Sequence, residues 1–278
     1  MAADYRQDRE RLSSAYETRA LDLDEINESS PWHRLYRTIT ADRLASLHVP
    51  VPRAIDLAAG TGLTAEVLCE LGYEVTAVET LPVMLRILRR KAALRGVEVF
   101  DFDLTSVDEF IPSGFGLATC TQAINFMPRL GPIFSRARDC LSPGGILYVD
   151  IDTTYRWTVI ETLAGRPANA LSILNECFDV GRHIVGADYF FYSKNDVVSA
   201  LKYHGFSDIS AVGILPLAPL LHILHESADF LDRPRLLGAA AHYASEDGFN
   251  KLRQLDEMLS GMIPTELCGF IQFTAIRR

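Results

Sequence analysis

The chain has 278 residues, 48% hydrophobic and 23% charged, which suits one α/β domain of about 200 residues plus insertions. A net charge of −9 withholds the positive face that a nucleic-acid partner requires. No apolar run reaches the roughly 18 residues of a membrane span.

The first 30 residues are rich in Asp, Glu and Arg and show no leader peptide. Cys69, Cys120, Cys140, Cys177 and Cys268 are odd in number with no CxxC spacing, so a reduced cytoplasmic protein without structural zinc is expected. The leading 50 residues read as two helices. The second is capped by Ser30, opens with Pro31 and carries Leu35, Ile39 and Leu44 near one face. Pro50 and Pro52 break the chain before a regular alternation begins.

Residues 54–57 form a short apolar strand, 60–71 a helix stopped by Gly72, and 74–78 a second strand. A helix over 82–95 ends at Gly96, and residues 97–100 make the third strand. Its basic cluster (Arg86, Arg89, Arg90, Lys91, Arg95) reads as a solvated face. Strand four spans 115–121, a helix follows over 132–141, and a Ser-Pro-Gly-Gly turn introduces strand five at 146–151. A helix over 195–204 and strands at 207–212 and 268–276 complete the pattern. Strands alternating with helices predict a mostly parallel sheet covered on both faces. Two segments interrupt the alternation, the aromatic stretch 152–193 and the helical stretch 214–264, as binding walls and lids do.

The motif Asp56-Leu57-Ala58-Ala59-Gly60-Thr61-Gly62 leaves a strand and opens a helix, where small residues admit a ligand to the backbone N–H groups. Glu79 stands at the tip of the second strand, placed to accept ribose hydroxyls. Gly60, Gly62 and Ala65 also satisfy the dinucleotide pattern G-x-G-x-x-G/A, so an NAD-dependent oxidoreductase is the alternative reading. Asp56 four residues before Gly60, Asp103-Leu104 after the third strand and Pro143-Gly144-Gly145 before the fifth separate the two.

With these motifs the sequence resembles the class I S-adenosylmethionine-dependent methyltransferases, well over residues 50–150 and moderately over 194–213 and 267–278. The resemblance implies a Rossmann-like sheet of seven strands whose last strand is antiparallel. It implies a helical lid over residues 1–50 and a catalytic domain over 51–278 with the two insertions. It also implies S-adenosylmethionine as cofactor. Backbone contacts fall to Ala58, Gly60 and Gly62, and ribose binding to Glu79. Leu81 and Leu104 sandwich the adenine, Asp103 accepts from its amino group, and Gln122 lies by the methionine moiety. Asp56 acts from behind, and Arg34, with Arg37 in reserve, pairs with the methionine carboxylate. Ala15-Tyr16-Glu17 resembles an Ala-Tyr-Asp lid element. Many members carry Asp where this chain has Gly116.

The acceptor side is less marked. Asp22, Asp24, Glu25 and Glu28 offer a base. Trp32, Tyr155, Phe190 and Tyr192, with Asn125 and His222, are candidate walls of a substrate pocket. His222 and His225, three residues apart, lack a third ligand, so no metal is expected. The expected substrate is a small aromatic or heterocyclic metabolite, as in natural-product biosynthesis, methylated on O, N or C by a monomer or homodimer. Retention of the fold without methyl transfer stays open.

Overall fold

A computed structural model describes residues 10–17, 20–21, 23–104, 112–175, 188–221, 243 and 245–278. Among the described residues three helical stretches precede the sheet, α1 (residues 10–17), α2 (Leu23–Ser29) and α3 (Pro31–Ala45), where two helices were expected. Pro31 occupies the first turn of α3 as predicted, but the Ser30 side chain makes no cap hydrogen bond.

The alternation then runs β1 (Arg53–Leu57), α4 (Leu63–Glu70), β2 (Glu74–Glu79), α5 (Pro82–Arg95), β3 (Glu98–Asp101) and β4 (Phe115–Cys120). It continues through α6 (Leu130–Cys140), β5 (Leu141–Asp152), α7 (Thr154–Leu163), α8 (Pro167–Leu174) and α9 (Lys194–Tyr203). The chain then forms β6 (Phe206–Ile214), α10 (Glu246–Met262) and β7 (Phe270–Arg277). The seven strands lie in one sheet in the order β3-β2-β1-β4-β5-β7-β6. β7 pairs antiparallel with both β5 and β6, and the pairs β2–β3, β1–β2, β1–β4 and β4–β5 are parallel.

The inner strands are apolar on both faces because both faces are covered. On one side Val197 and Leu201 of α9 and Ile133 and Phe134 of α6 pack on Phe115, Leu147 and Phe273. On the other, Leu44 of α3, Leu68 of α4 and Leu88 of α5 pack on Ala54, Leu117 and Tyr148.

Two local departures have steric causes. Helix α4 begins at Leu63, later than Gly60, because Ala58, Gly60 and Gly62 all take positive φ, which a helix does not admit. Strand β5 begins at Leu141, earlier than Ile146. Leu141 already pairs with Phe115, and a register shift before Leu117 absorbs the Pro-Gly-Gly segment.

Gly116 is fixed by close approach. A Cβ there would lie 2.0 Å from the Val51 carbonyl oxygen.

Candidate active site

The strand order reverses between β1 and β4, and in open α/β sheets the crevice beyond the carboxyl ends of the strands at such a point is the ligand site. A cavity of about 160 Å³ lies there. Ala58 and Gly60 after β1, Glu79, Thr80 and Leu81 at β2, and Phe102, Asp103 and Leu104 after β3 form one wall. Gln122 and Ala123 after β4 form the floor. Leu12 and Tyr16 of α1, Phe126, Met127, Asp188 and Phe190 line the rest.

The glycine loop is tied to the tip of β2. Glu79 Oε2 accepts the Gly60 N–H at 2.8 Å, and Oε1 accepts the N–H groups of Thr80 and Leu81 at 2.7 and 2.8 Å. A carboxylate held by three backbone donors is locked in orientation while still facing the cavity. Gly60 has φ +58°, and a Cβ built on it meets nothing within 4 Å, so open space stands before that turn.

Below the loop, Asp56 is fully buried and accepts the Thr119 hydroxyl at 2.7 Å. Burial pushes its carboxyl up to about 7, against hydrogen bonds from Thr119 and the Ala65 backbone, and the nearby Glu79 charge adds to the rise. Asp56 therefore supports β1 from beneath and does not line the cavity. Gly62, at φ +96°, is the N-cap of α4 and also stands outside the wall.

Several expectations for the acceptor side and for the methionine carboxylate need correction. Trp32 is 4% exposed and is core. Its ring stacks on Phe270 at 6.1 Å, with the Arg156 guanidinium 4.5 Å from its centre. The Arg34 guanidinium sits 4.0 Å over the Phe249 ring of α10, and Arg37 pairs with Glu70 at 3.3 Å, so neither arginine reaches the cavity wall. Asp24 Oδ1 is engaged by Lys91 Nζ at 2.8 Å and Thr61 Oγ1 at 3.0 Å, which makes it a fastener of α2. Glu25 is exposed on the same helix.

Asn125 is a clamp. Its amide nitrogen donates to the Phe190 carbonyl at 2.8 Å, and its oxygen accepts the Asp152 N–H at 2.8 Å. Tyr155 is half-buried on α7 outside the wall, and the Tyr192 hydroxyl is spent on the Met127 carbonyl. His222, like Asp22 and His225, lies outside the described residues. The described part of the 214–264 segment packs Leu215, Ala218, Leu221, Phe249 and Leu252 against α3 and contributes nothing to the cavity wall.

The structure does bring Tyr16, Glu79, Leu81, Asp103, Leu104, Gln122 and Phe190 to one cavity, as the sequence suggested. It adds Leu12, Phe126 and Asp188, which carried no local signal, and Asp150 behind Gln122. A charged residue within the apolar run of strand five was the available signal for Asp150. Among the described residues no group of His, Cys, Asp and Glu is arranged to hold a metal.

Comparison with known proteins agrees with this geometry. Residues 55–149 match the family model described as a methyltransferase domain. Over 108 residues the chain is 29% identical to a ubiquinone biosynthesis O-methyltransferase of Xanthomonas campestris, covering 38% of this chain and 45% of the relative. The corresponding protein of Xylella fastidiosa is 27% identical over 100 residues, 35% of this chain and 40% of its own length. The chain thus spans less than half of these curated relatives.

In fold it is similar to an S-adenosylmethionine-dependent methyltransferase of Thermotoga maritima described as a possible histamine N-methyltransferase. That match has a TM-score of 0.57 and 13% identity, over 96% of this chain and all of the other. A methyltransferase from Mesorhizobium loti aligns with a TM-score of 0.53 and 16% identity, over 86% and 96% of the two chains. The strand order, the glycine loop facing the cavity and the matched segment agree: residues 55–149 match a methyltransferase domain, set in the fold shared with these S-adenosylmethionine-dependent methyltransferases.

Proposed function

We propose that the protein transfers a methyl group from S-adenosylmethionine to an O, N or C atom of a small aromatic or heterocyclic metabolite. The observation that carries this reading is the convergence of Glu79, Asp103 and Gln122, from the ends of three strands, on one cavity walled by Leu81, Phe102 and Leu104. These residues fit the cofactor. Two carboxylates accept hydroxyl and amino donors, apolar side chains cover a purine, and the open turn at Gly60 admits a chain to the backbone. When bound, the cofactor supplies an electrophilic methyl on a sulfonium.

The protein's own part is to bind, align and exclude water. Leu12 and Tyr16 cover the cavity from α1, and Tyr16 meets Phe126 edge-on with ring centres 6.1 Å apart. Phe126 and Phe190 offer flat apolar faces to an acceptor. The described lining carries the carboxylates of Glu79, Asp103 and Asp188 and no Lys, Arg or His, which favours a neutral or cationic acceptor over an anionic one. Asp24 is turned to fastening, and Glu25 and Glu28 are exposed outside the cavity lining, so the reading assigns catalysis to alignment and not to a dedicated base.

Calorimetry tests it. S-adenosylhomocysteine should bind in the micromolar range, about −8 kcal/mol. Glu79→Ala should weaken binding by about 1.5–3 kcal/mol, as loss of a charged acceptor does. A wild type that binds NADH and ignores S-adenosylhomocysteine would overturn the reading in favour of an oxidoreductase.

A further inference from the structure

Asp150 is a fully buried carboxyl inside the apolar strand β5. Its two oxygens serve two other elements. Oδ1 accepts the Gln122 backbone N–H at 2.7 Å, and Oδ2 accepts the hydroxyl of Tyr36 from α3. Tyr36 is itself 2% exposed. One turn further along α3, Thr40 Oγ1 accepts from the side-chain amide of buried Gln272 at 3.1 Å, and Gln272 is the partner of Asp150 across β5 and β7. Helix α3 is therefore pinned to the sheet at two adjacent polar points.

Gln122 has φ +52°, in the left-handed region that a side chain disfavours, and it forms the cavity floor. Such a conformation persists only where its surroundings over-determine it. Turning the Gln122 peptide away would strip a buried carboxyl of one of its two donors. A carboxyl kept only for stability would have no reason to spend an oxygen on the one strained residue of the cavity floor.

We propose that Asp150, steadied by Tyr36, is a positioning residue that fixes the Gln122 backbone and so couples the seating of α3 to ligand affinity. The proposal rests on the cavity being the cofactor site.

The experiment pairs calorimetry of S-adenosylhomocysteine with the amide proton resonance of Gln122, using the full chain. Asp150→Ala removes the acceptor and should weaken binding about tenfold or more, with the Gln122 amide shifted and exchanging faster. Asp150→Asn can still present an oxygen to Gln122 and its amide to the tyrosine oxygen, so it should stay within about threefold of wild type. Tyr36→Phe keeps the ring and removes only the hydroxyl. It should shift the same amide and weaken binding by about threefold to tenfold, and it carries the test if Asp150→Ala does not fold.

A merely structural role would lower melting temperature while leaving the Gln122 amide and the affinity of the folded variants unchanged, and that result overturns the proposal. Equal loss in the Asn and Ala variants would assign the effect to charge and also overturns it. If the wild type itself fails to bind S-adenosylhomocysteine, the functional reading falls, and the Gln122 amide alone still decides the positioning.

Discussion

Gly116 stands where many relatives by resemblance carry Asp, and its neighbour explains the choice. With Val51 backbone atoms at 2.0 to 3.0 Å from any Cβ, the β4 start and the 50–52 connection touch directly. Gly116→Ala should therefore destabilise by about 1–3 kcal/mol through overpacking, read as a lower denaturation midpoint. Asp56 is informative in another way. Its carboxyl titrates at about 7 when folded, against an ordinary 3.8. Between those values the folded protein holds a proton that the unfolded chain has released, so this group's stabilisation is full below pH 4 and is lost as pH rises through 7. Asp150, also pushed up to about 7 by burial, acts in the same sense. Denaturation at a series of pH values should show Asp56→Asn losing less stability than wild type between pH 4 and pH 7; parallel curves would contradict the shift.

Helix α2 is fastened by the carboxylate of Asp24 beside the packing of Leu23 on the α5 side. Asp24 joins Lys91 of α5, which also reaches Glu66 of α4 at 3.3 Å, and Thr61 of the glycine loop. The pair is partly exposed, so its net contribution to stability is about 0–1 kcal/mol. Its effect belongs to the element rather than to the whole fold. Asp24→Asn should leave the melting temperature nearly unchanged and raise the S-adenosylhomocysteine dissociation rate a few-fold. Stopped-flow displacement measures this, and an unchanged rate would show that α2 does not gate the cavity. The 214–264 segment serves the helices before the sheet and not the cavity. Its apolar residues Leu217 and Leu221 pack on α3, within residues 1–50 expected to form the lid, yet none of its described part lines the cavity. Leu220, from the same pattern, is 48% exposed.

At the scale of the molecule, helix α3, the ends of β5 and β7 and the 152–193 segment meet around Arg156. Its guanidinium pairs with Asp152 at 2.6 Å and lies 4.5, 5.1 and 4.6 Å from the rings of Trp32, Trp157 and Phe270. Asp152 Oδ2 also accepts from Trp157 Nε1 at 2.8 Å and the Tyr189 hydroxyl at 2.6 Å. One buried charge thus joins α3, β5, α7, β7 and the strand of chain that leads to Phe190. Arg156→Leu would leave Asp152 charged and short of its cation, at a cost of about 3–5 kcal/mol. Differential scanning calorimetry should report a matching fall, and a loss below 1 kcal/mol would show that the two neutral donors suffice.

The sequence by itself determined the sheet, its reversed last strand and the residues that bring the glycine-loop side of the cavity together. Strand and helix periods are local, and Ala58, Gly60, Glu79, Leu81, Asp103 and Gln122 each lie within three residues of a strand end, so a strand boundary places them. Tertiary structure alone decided the rest, because the deciding partner is far away in the chain. Trp32 and Phe190 carry the same apolar signal; Phe270 covers the first, and the second faces the cavity. Arg34 and Asp24 read as a partner for the methionine carboxylate and a candidate base until Phe249 and Lys91 stand beside them. Tyr36 and Asp150, 114 residues apart, meet only when α3 is laid on the sheet, and no local pattern encodes that contact.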